Sequence, residues 1–143
     1  MTTPKPVILL AEDDENDVFF MRRALQKSEV EFAVQVVTDG QQAVDYLSGG
    51  GKFGNREQHP LPSVILLDLK MPFLDGFEVL TWLRSQPSFN GVPVAVLTSS
   101  AEDRDRRRAR ELGARAYFVK PPKPETILEI MRLIGEPRDK AVN

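Results

Sequence analysis

Val64-Ile65-Leu66-Leu67-Asp68-Leu69-Lys70-Met71-Pro72 runs four aliphatic residues straight into one carboxylate. An apolar run without polar alternation, rich in Val, Ile and Leu, predicts a strand buried on both faces, as in the middle of a parallel sheet. Met71-Pro72 ends it, because proline donates no hydrogen bond and pulls the preceding residue away from helix. Asp68 therefore stands at the carboxyl end of a central strand, where open α/β sheets keep their sites.

Working outward, Val7 to Ala11 forms a second fully apolar run, closed by Glu12-Asp13-Asp14. A helix follows, with Asn16 or Asp17 expected as its cap and Val18, Met21, Ala24 and Leu25 at helical spacing. Phe19 and Phe20 are expected to pack against the sheet. Phe32 to Val37 reads as an edge strand, and Ala43, Val44 and Leu47 mark a helix ended by Gly49-Gly50-Gly51. Residues 49–62 are polar and rich in glycine and proline, which predicts a surface loop. Beyond Asp68, Asp75 can cap a helix carrying Phe77, Leu80 and Leu83. Val92 to Leu97 and Ala114 to Val119 are further strands, separated by a charged helix from Ala101 to Leu112. Pro124 opens a last helix with Ile127, Ile130, Met131 and Ile134 on one face and Gly135 as its cap.

Strand and helix thus alternate five times, with no internal repeat. Such alternation implies a parallel sheet with helices on both faces and right-handed crossovers. The fold expected is a flavodoxin-like three-layer α/β sandwich: a five-stranded parallel sheet in the order 2-1-3-4-5, with five helices. The chain reads as one domain over residues 1–143, its core about 7–135, with a frayed tail over 136–143.

Composition narrows the function. The 143 residues are 41% apolar and 28% charged, with a net charge of -2, so nothing drives the chain toward nucleic acid or an anionic membrane. No cysteine is present, which removes disulfides, thiolate metal sites and cysteine nucleophiles together. No apolar run reaches the roughly 20 residues of a membrane span, and Met1 to Pro6 lacks a signal-peptide core, so a cytoplasmic location is expected.

The strand ends carry Glu12-Asp13, Asp68, Thr98 and Lys120. In the expected strand order the first and third strands are neighbours at the topological switch point, so three carboxylates would converge there. A hydroxyl and an ammonium would stand on the next two strands. Clustered carboxylates repel and call for a cation, and hard oxygen donors suit Mg²⁺ or Mn²⁺.

Glu12-Asp13, Asp68 with Met71-Pro72 and Asp75-Gly76, Thr98-Ser99, and Tyr117-Phe118-Val119-Lys120-Pro121, in this order and spacing, resemble a response regulator receiver domain over about residues 7 to 135. The resemblance implies a phosphoacceptor signalling protein of a two-component system rather than an enzyme. Its only chemistry would be self-catalysed phosphotransfer and dephosphorylation. It implies Asp68 as the nucleophile that takes a phosphoryl group from a sensor histidine kinase. Asp13 would bind Mg²⁺ directly, Glu12 through water, and the main-chain carbonyl of Lys70 would complete the metal ligands with Asp68. Thr98 would hydrogen-bond the phosphoryl group, Lys120 would neutralise it, and Tyr117 would change rotamer as Thr98 moves. A cis Lys120-Pro121 bond is also implied. Glu12 departs from the commoner Asp-Asp pair, and Lys70, Ser99 and Ser100 flank the phosphoryl position.

The loop over 49–62, with Leu67 to Pro72, is similar to the small regulators that partner bacterial phytochromes, which implies a phytochrome-type kinase as donor. The shortness of the chain after Gly135 suggests a regulator without an output domain. The face of the fourth helix, fifth strand and fifth helix is expected to signal and to form a homodimer. Acids interspersed among Arg104, Arg106, Arg107, Arg108 and Arg110 argue for a solvated face there and against direct nucleic-acid binding.

Three other readings stand beside this one. A dehalogenase-type phosphatase also uses an Asp nucleophile, but needs an acid where Lys70 stands. An FMN binder needs a hydroxyl- and glycine-rich loop where Glu12-Asp13-Asp14-Glu15 would repel phosphate. A receiver-like interaction module that is never phosphorylated would carry the same residues. His59, the only histidine, is expected to be a solvated loop residue with no catalytic part.

Overall fold

The computed structural model describes residues 5–135. The tail expected over 136–143 lies outside them. Five strands, β1 (Val7–Ala11), β2 (Ala33–Val37), β3 (Val64–Leu67), β4 (Val94–Thr98) and β5 (Ala116–Val119), form one sheet in the order β2-β1-β3-β4-β5. Every neighbouring pair is parallel. The helices are α1 (Glu15–Lys27), α2 (Gly40–Ser48), α3 (Gly76–Arg84), α4 (Asp103–Glu111) and α5 (Pro124–Gly135). The flavodoxin-like expectation holds in strand order, direction and helix number.

The apolar run that opens β3 is explained by two cores. Successive strand side chains point to opposite faces of a sheet. Ile65 and Leu67, with Leu9 and Val96, pack on one face against Leu47, Phe77, Leu80 and Ala109 of α2, α3 and α4. Val64 and Leu66, with Ile8 and Leu97, pack on the other against Met21 and Leu25 of α1 and Ile127, Ile130 and Leu133 of α5. Each of Val64 to Leu67 is completely buried. A strand covered on both sides has no reason to alternate.

Helix starts are set by side-chain caps. Asp14 caps α1 by accepting from the Asn16 amide, two residues before Asn16 and three before Asp17, the caps expected. Asp39 caps α2, and Asp75 with Glu78 forms a reciprocal capping box at α3. Gly49 ends α2 at φ +75°, a conformation that glycine adopts without a Cβ penalty.

Two further expectations fail. Phe19 and Phe20 do not pack against the sheet; they are 56% and 50% exposed. Met21 and Leu25 already fill the sheet-facing stripe of α1, and Phe20 instead borders the shallow groove beside Ile127 and Met131 of α5. His59 is not a solvated loop residue either. Its ring packs edge-on to Tyr46 and Phe53, at centroid distances of 5.7 and 5.1 Å, with Nδ1 buried and unpartnered among the described residues.

The loop over 49–62 is correspondingly tied down. The Arg56 guanidinium donates to the carbonyls of Tyr46 and Leu47, each at 2.8 Å, and to that of His59 at 3.1 Å. It thereby supplies a donor to the Leu47 carbonyl at the end of α2 and a second one to that of Tyr46, which also accepts from the Gly49 amide at 3.2 Å. Phe53 is buried in the core, and the Tyr46 hydroxyl donates to the Pro60 carbonyl at 2.7 Å. No helix among the described residues is long and apolar enough to cross a membrane.

Candidate functional site

Main-chain hydrogen bonds carry the sheet one residue past each strand end and so place the site. The Glu12 amide donates to the Val37 carbonyl at 2.9 Å, and the Asp68 amide to the Ala11 carbonyl at 3.1 Å. The Lys120 amide donates to the Thr98 carbonyl at 2.8 Å. Each side chain therefore leaves the sheet from a fixed backbone. Asp68 is also backed by α3: a Cβ on Gly76 would stand 2.4 Å from the Asp68 carbonyl oxygen. Only glycine lets the helix start that close.

Four of the expected site residues form one enclosure. Oxygens of Glu12, Asp13 and Asp68 all lie within 4.8 Å of one another, with Glu12 and Asp68 buried and Asp13 exposed. Lys120 Nζ reaches Glu12 Oε1 at 2.6 Å and Asp68 Oδ2 at 3.1 Å. The second Asp68 oxygen, Oδ1, accepts a long bond of 3.4 Å from the Lys70 amide. The Lys120-Pro121 bond is cis, as the resemblance implied.

Thr98 and Tyr117 stand on the neighbouring strands. Thr98 is completely buried, and its hydroxyl accepts from the Ser100 amide at 3.4 Å. The Tyr117 hydroxyl donates to the Ser100 carbonyl at 2.9 Å, and the Arg106 guanidinium lies over its ring at 4.8 Å. Burial pushes the Tyr117 phenol above its ordinary value. Thr98 and Tyr117 thus hold the loop after β4 at one residue, Ser100, by its amide and its carbonyl. The Lys70 side chain is exposed beside the pocket.

One residue of the enclosure was not expected there. Asp17 Oδ2 accepts from Lys120 Nζ at 2.7 Å, from the first turn of α1. In the sequence Asp17 reads as a candidate cap of the first helix. Only its offset, one helical turn beyond Asp13, could have singled it out.

The charges in the pocket act on one another. Burial raises the Glu12 carboxyl from 4.5 to about 7, with the Asp68 charge adding to the rise and Lys120 opposing it. Burial pulls Lys120 down, but its hydrogen bonds to Asp17 and Glu12 and the Asp68 charge outweigh that, so the ammonium is held above its ordinary value. Four carboxyl groups against one ammonium leave an excess of negative charge in a largely enclosed space. Such a donor set, all hard oxygen and partly open to water at Asp13, fits Mg²⁺ or Mn²⁺.

A parallel sheet in this order, with acids on two central strand ends and Lys-Pro after the last strand, defines a receiver domain. The model of the response regulator receiver domain family matches residues 8–132, and the chain belongs to that family. Response regulator Rcp1 of Synechocystis sp. is 34% identical over 119 residues, covering 83% of this chain and 79% of Rcp1. Its Mn²⁺-bound crystal structure has a TM-score of 0.74, at 32% identity and 90% coverage of both chains. The bacteriophytochrome response regulator RtBRR is 42% identical, with a TM-score of 0.81 over 93% of this chain and 80% of that one. The phosphorylated cyanobacterial phytochrome response regulator RcpA follows at 32% identity and a TM-score of 0.77, over 90% of both chains. The chain is thus a signalling receiver similar to phytochrome response regulators.

Proposed function

We propose that this receiver takes a phosphoryl group from a sensor histidine kinase onto Asp68. The observation that carries the reading is the Lys120 ammonium, 3.1 Å from Asp68 Oδ2 inside the acidic enclosure. A carboxylate oxygen of Asp68 attacks phosphorus, the P–N bond of the phosphohistidine breaks, and its electron pair returns to the imidazole. Positioning and charge neutralisation supply most of the acceleration in such transfers. Asp13, Asp68 and the Lys70 carbonyl, with Glu12 through water, would hold Mg²⁺, which would add positive charge beside the transferred group. Lys120 neutralises the phosphoryl oxygens, and the Thr98 hydroxyl donates to one of them.

The acyl phosphate adds roughly -1.5 to -2 charge at Asp68, enough to bias a two-state element. Thr98, Ser100, Tyr117 and Arg106 form a chain of contacts from the pocket to α4. That chain supports a signal leaving through the α4–β5–α5 face, with Tyr117 as the switch and a homodimer as one readout. Likeness to phytochrome response regulators supports a phytochrome-type kinase as the donor.

Incubation with acetyl phosphate and Mg²⁺, followed by intact mass, tests the reading. The wild type is expected to gain one phosphoryl group and Asp68→Asn none. A wild type without an adduct would point instead to a receiver-like module that works unphosphorylated.

A further inference from the structure

Lys120 is shared among three carboxylates, and they are not equivalent. A lysine ammonium has three N–H donors. The contacts at Glu12 Oε1, Asp17 Oδ2 and Asp68 Oδ2, at 2.6, 2.7 and 3.1 Å, match that number. Glu12 and Asp68 also belong to the trio with Asp13 that can hold a divalent cation. Asp17 does not. It is the one partner of Lys120, among the described residues, that stands outside the trio.

This division sets up a competition. A divalent cation entering the trio would share the Glu12 and Asp68 carboxylates with the ammonium, and the two cations repel. Asp17 pulls the other way. It sits in the first turn of α1, where the helix dipole favours a negative charge, and its side chain is 30% exposed. Its carboxylate is thus available to the ammonium without being required by the metal.

We infer that Asp17 is a positioning residue: it anchors Lys120 to α1 and so keeps Glu12 and Asp68 open to the divalent cation. The role rests on the reading of Glu12, Asp13 and Asp68 as the metal site. Asp17 lies outside the three carboxylates that converge as the metal trio, the phosphoacceptor Asp68 among them. Its effect on the metal passes through Lys120, and removing the ammonium should therefore cancel it.

A double-mutant cycle on Mn²⁺ affinity, read by titration calorimetry without any phosphodonor, tests this. Asp17→Asn in the wild-type background is expected to weaken Mn²⁺ about fivefold, within the range of coupling between neighbouring side chains. In a Lys120→Met background the same substitution should change affinity less than about twofold. Lys120→Gln supplies a second background without the ammonium, and thermal melts establish that each variant is folded. Equal weakening with and without the ammonium would overturn the role, since Asp17 would then act as a distant charge or a structural residue. An unchanged affinity in Asp17→Asn would overturn it as well. A wild type that binds no Mn²⁺ would overturn the metal reading itself, and this role with it.

Discussion

Glu12 Oε1 lies 2.6 Å from Lys120 Nζ, yet the Glu12 side chain is only 2% exposed, and burial together with the Asp68 charge raises its pKa to about 7. A raised carboxyl binds protons that the unfolded chain has already released. Its contribution to stability is complete below about pH 4.5 and is lost as pH climbs through about 7. Metal-free protein should therefore lose urea resistance across that window. Glu12→Gln should lose less, and parallel pH curves for the two proteins would contradict the assignment.

Metal binding should run the other way. Metal ligands bind deprotonated, so a cation entering the trio displaces the Glu12 proton when pH is below about 7. Apparent Mg²⁺ affinity should rise by up to roughly tenfold per pH unit on the acid side and flatten above neutrality. Glu12→Gln should bind more weakly and with a shallower slope. Calorimetry in buffers of different ionisation enthalpy would count the released proton.

The order of the sheet and the convergence of Glu12, Asp13, Asp68 and Lys120 were legible because both follow from strand ends. Continuous apolar runs mark buried parallel strands, and parallel strands bring their carboxyl ends to one edge. Asp17 was not legible in this way. Which first-turn acid meets Lys120 depends on the rotation of α1 about its axis, and a shift of two residues in the cap, from Asn16 to Asp14, changes it. The Arg56 and His59 contacts were hidden for a related reason. A polar residue in a long loop reads as solvated until the loop's path is known.

Gly76→Ala should be costly. The added Cβ would meet backbone, the Asp68 carbonyl oxygen at 2.4 Å and Leu69 Cα at 2.7 Å, so no rotamer change relieves it. A loss of about 1–3 kcal/mol in chemical denaturation is expected from overpacking of this kind. Phosphorylation by acetyl phosphate should slow as well, because the displaced backbone belongs to Asp68. Wild-type stability in the variant would refute the close approach.

Phe73 gives the opposite sign. It holds φ at +67° and is 83% exposed, so it carries left-handed strain with almost no packing in return. Asn tolerates that region better than an aromatic residue. Phe73→Asn should stabilise the fold by about 1 kcal/mol, the lower end of the cost of such conformations. A decrease in melting temperature would show that the ring is held by contacts.

Arg56→Ala should remove hydrogen bonds to three main-chain carbonyls at once. Of these, Leu47 at the end of α2 and His59 in the loop would lose the donor described for them, while Tyr46 keeps the Gly49 amide. Unpaired buried polar groups cost about 1–3 kcal/mol each, less where water can replace the donor. A fall in stability of about 2 kcal/mol is expected. Hydrogen exchange should quicken over 46–60 and leave β3 protected.

That staple has a practical use. Residues 49–62 join the end of α2 to the start of β3, so they lie at the amino ends of the strands, while the acids lie at the carboxyl ends. The four residues of β3 put about 13 Å between the two ends. The chain has no cysteine, and Glu57 is exposed in the loop, its amide donating to Asn55 Oδ1, so Glu57→Cys offers one unique thiol. A dye or a surface linker attached there would hold the protein by its back, with the acid pocket and the α4–β5–α5 face turned toward whatever kinase or target is brought to it.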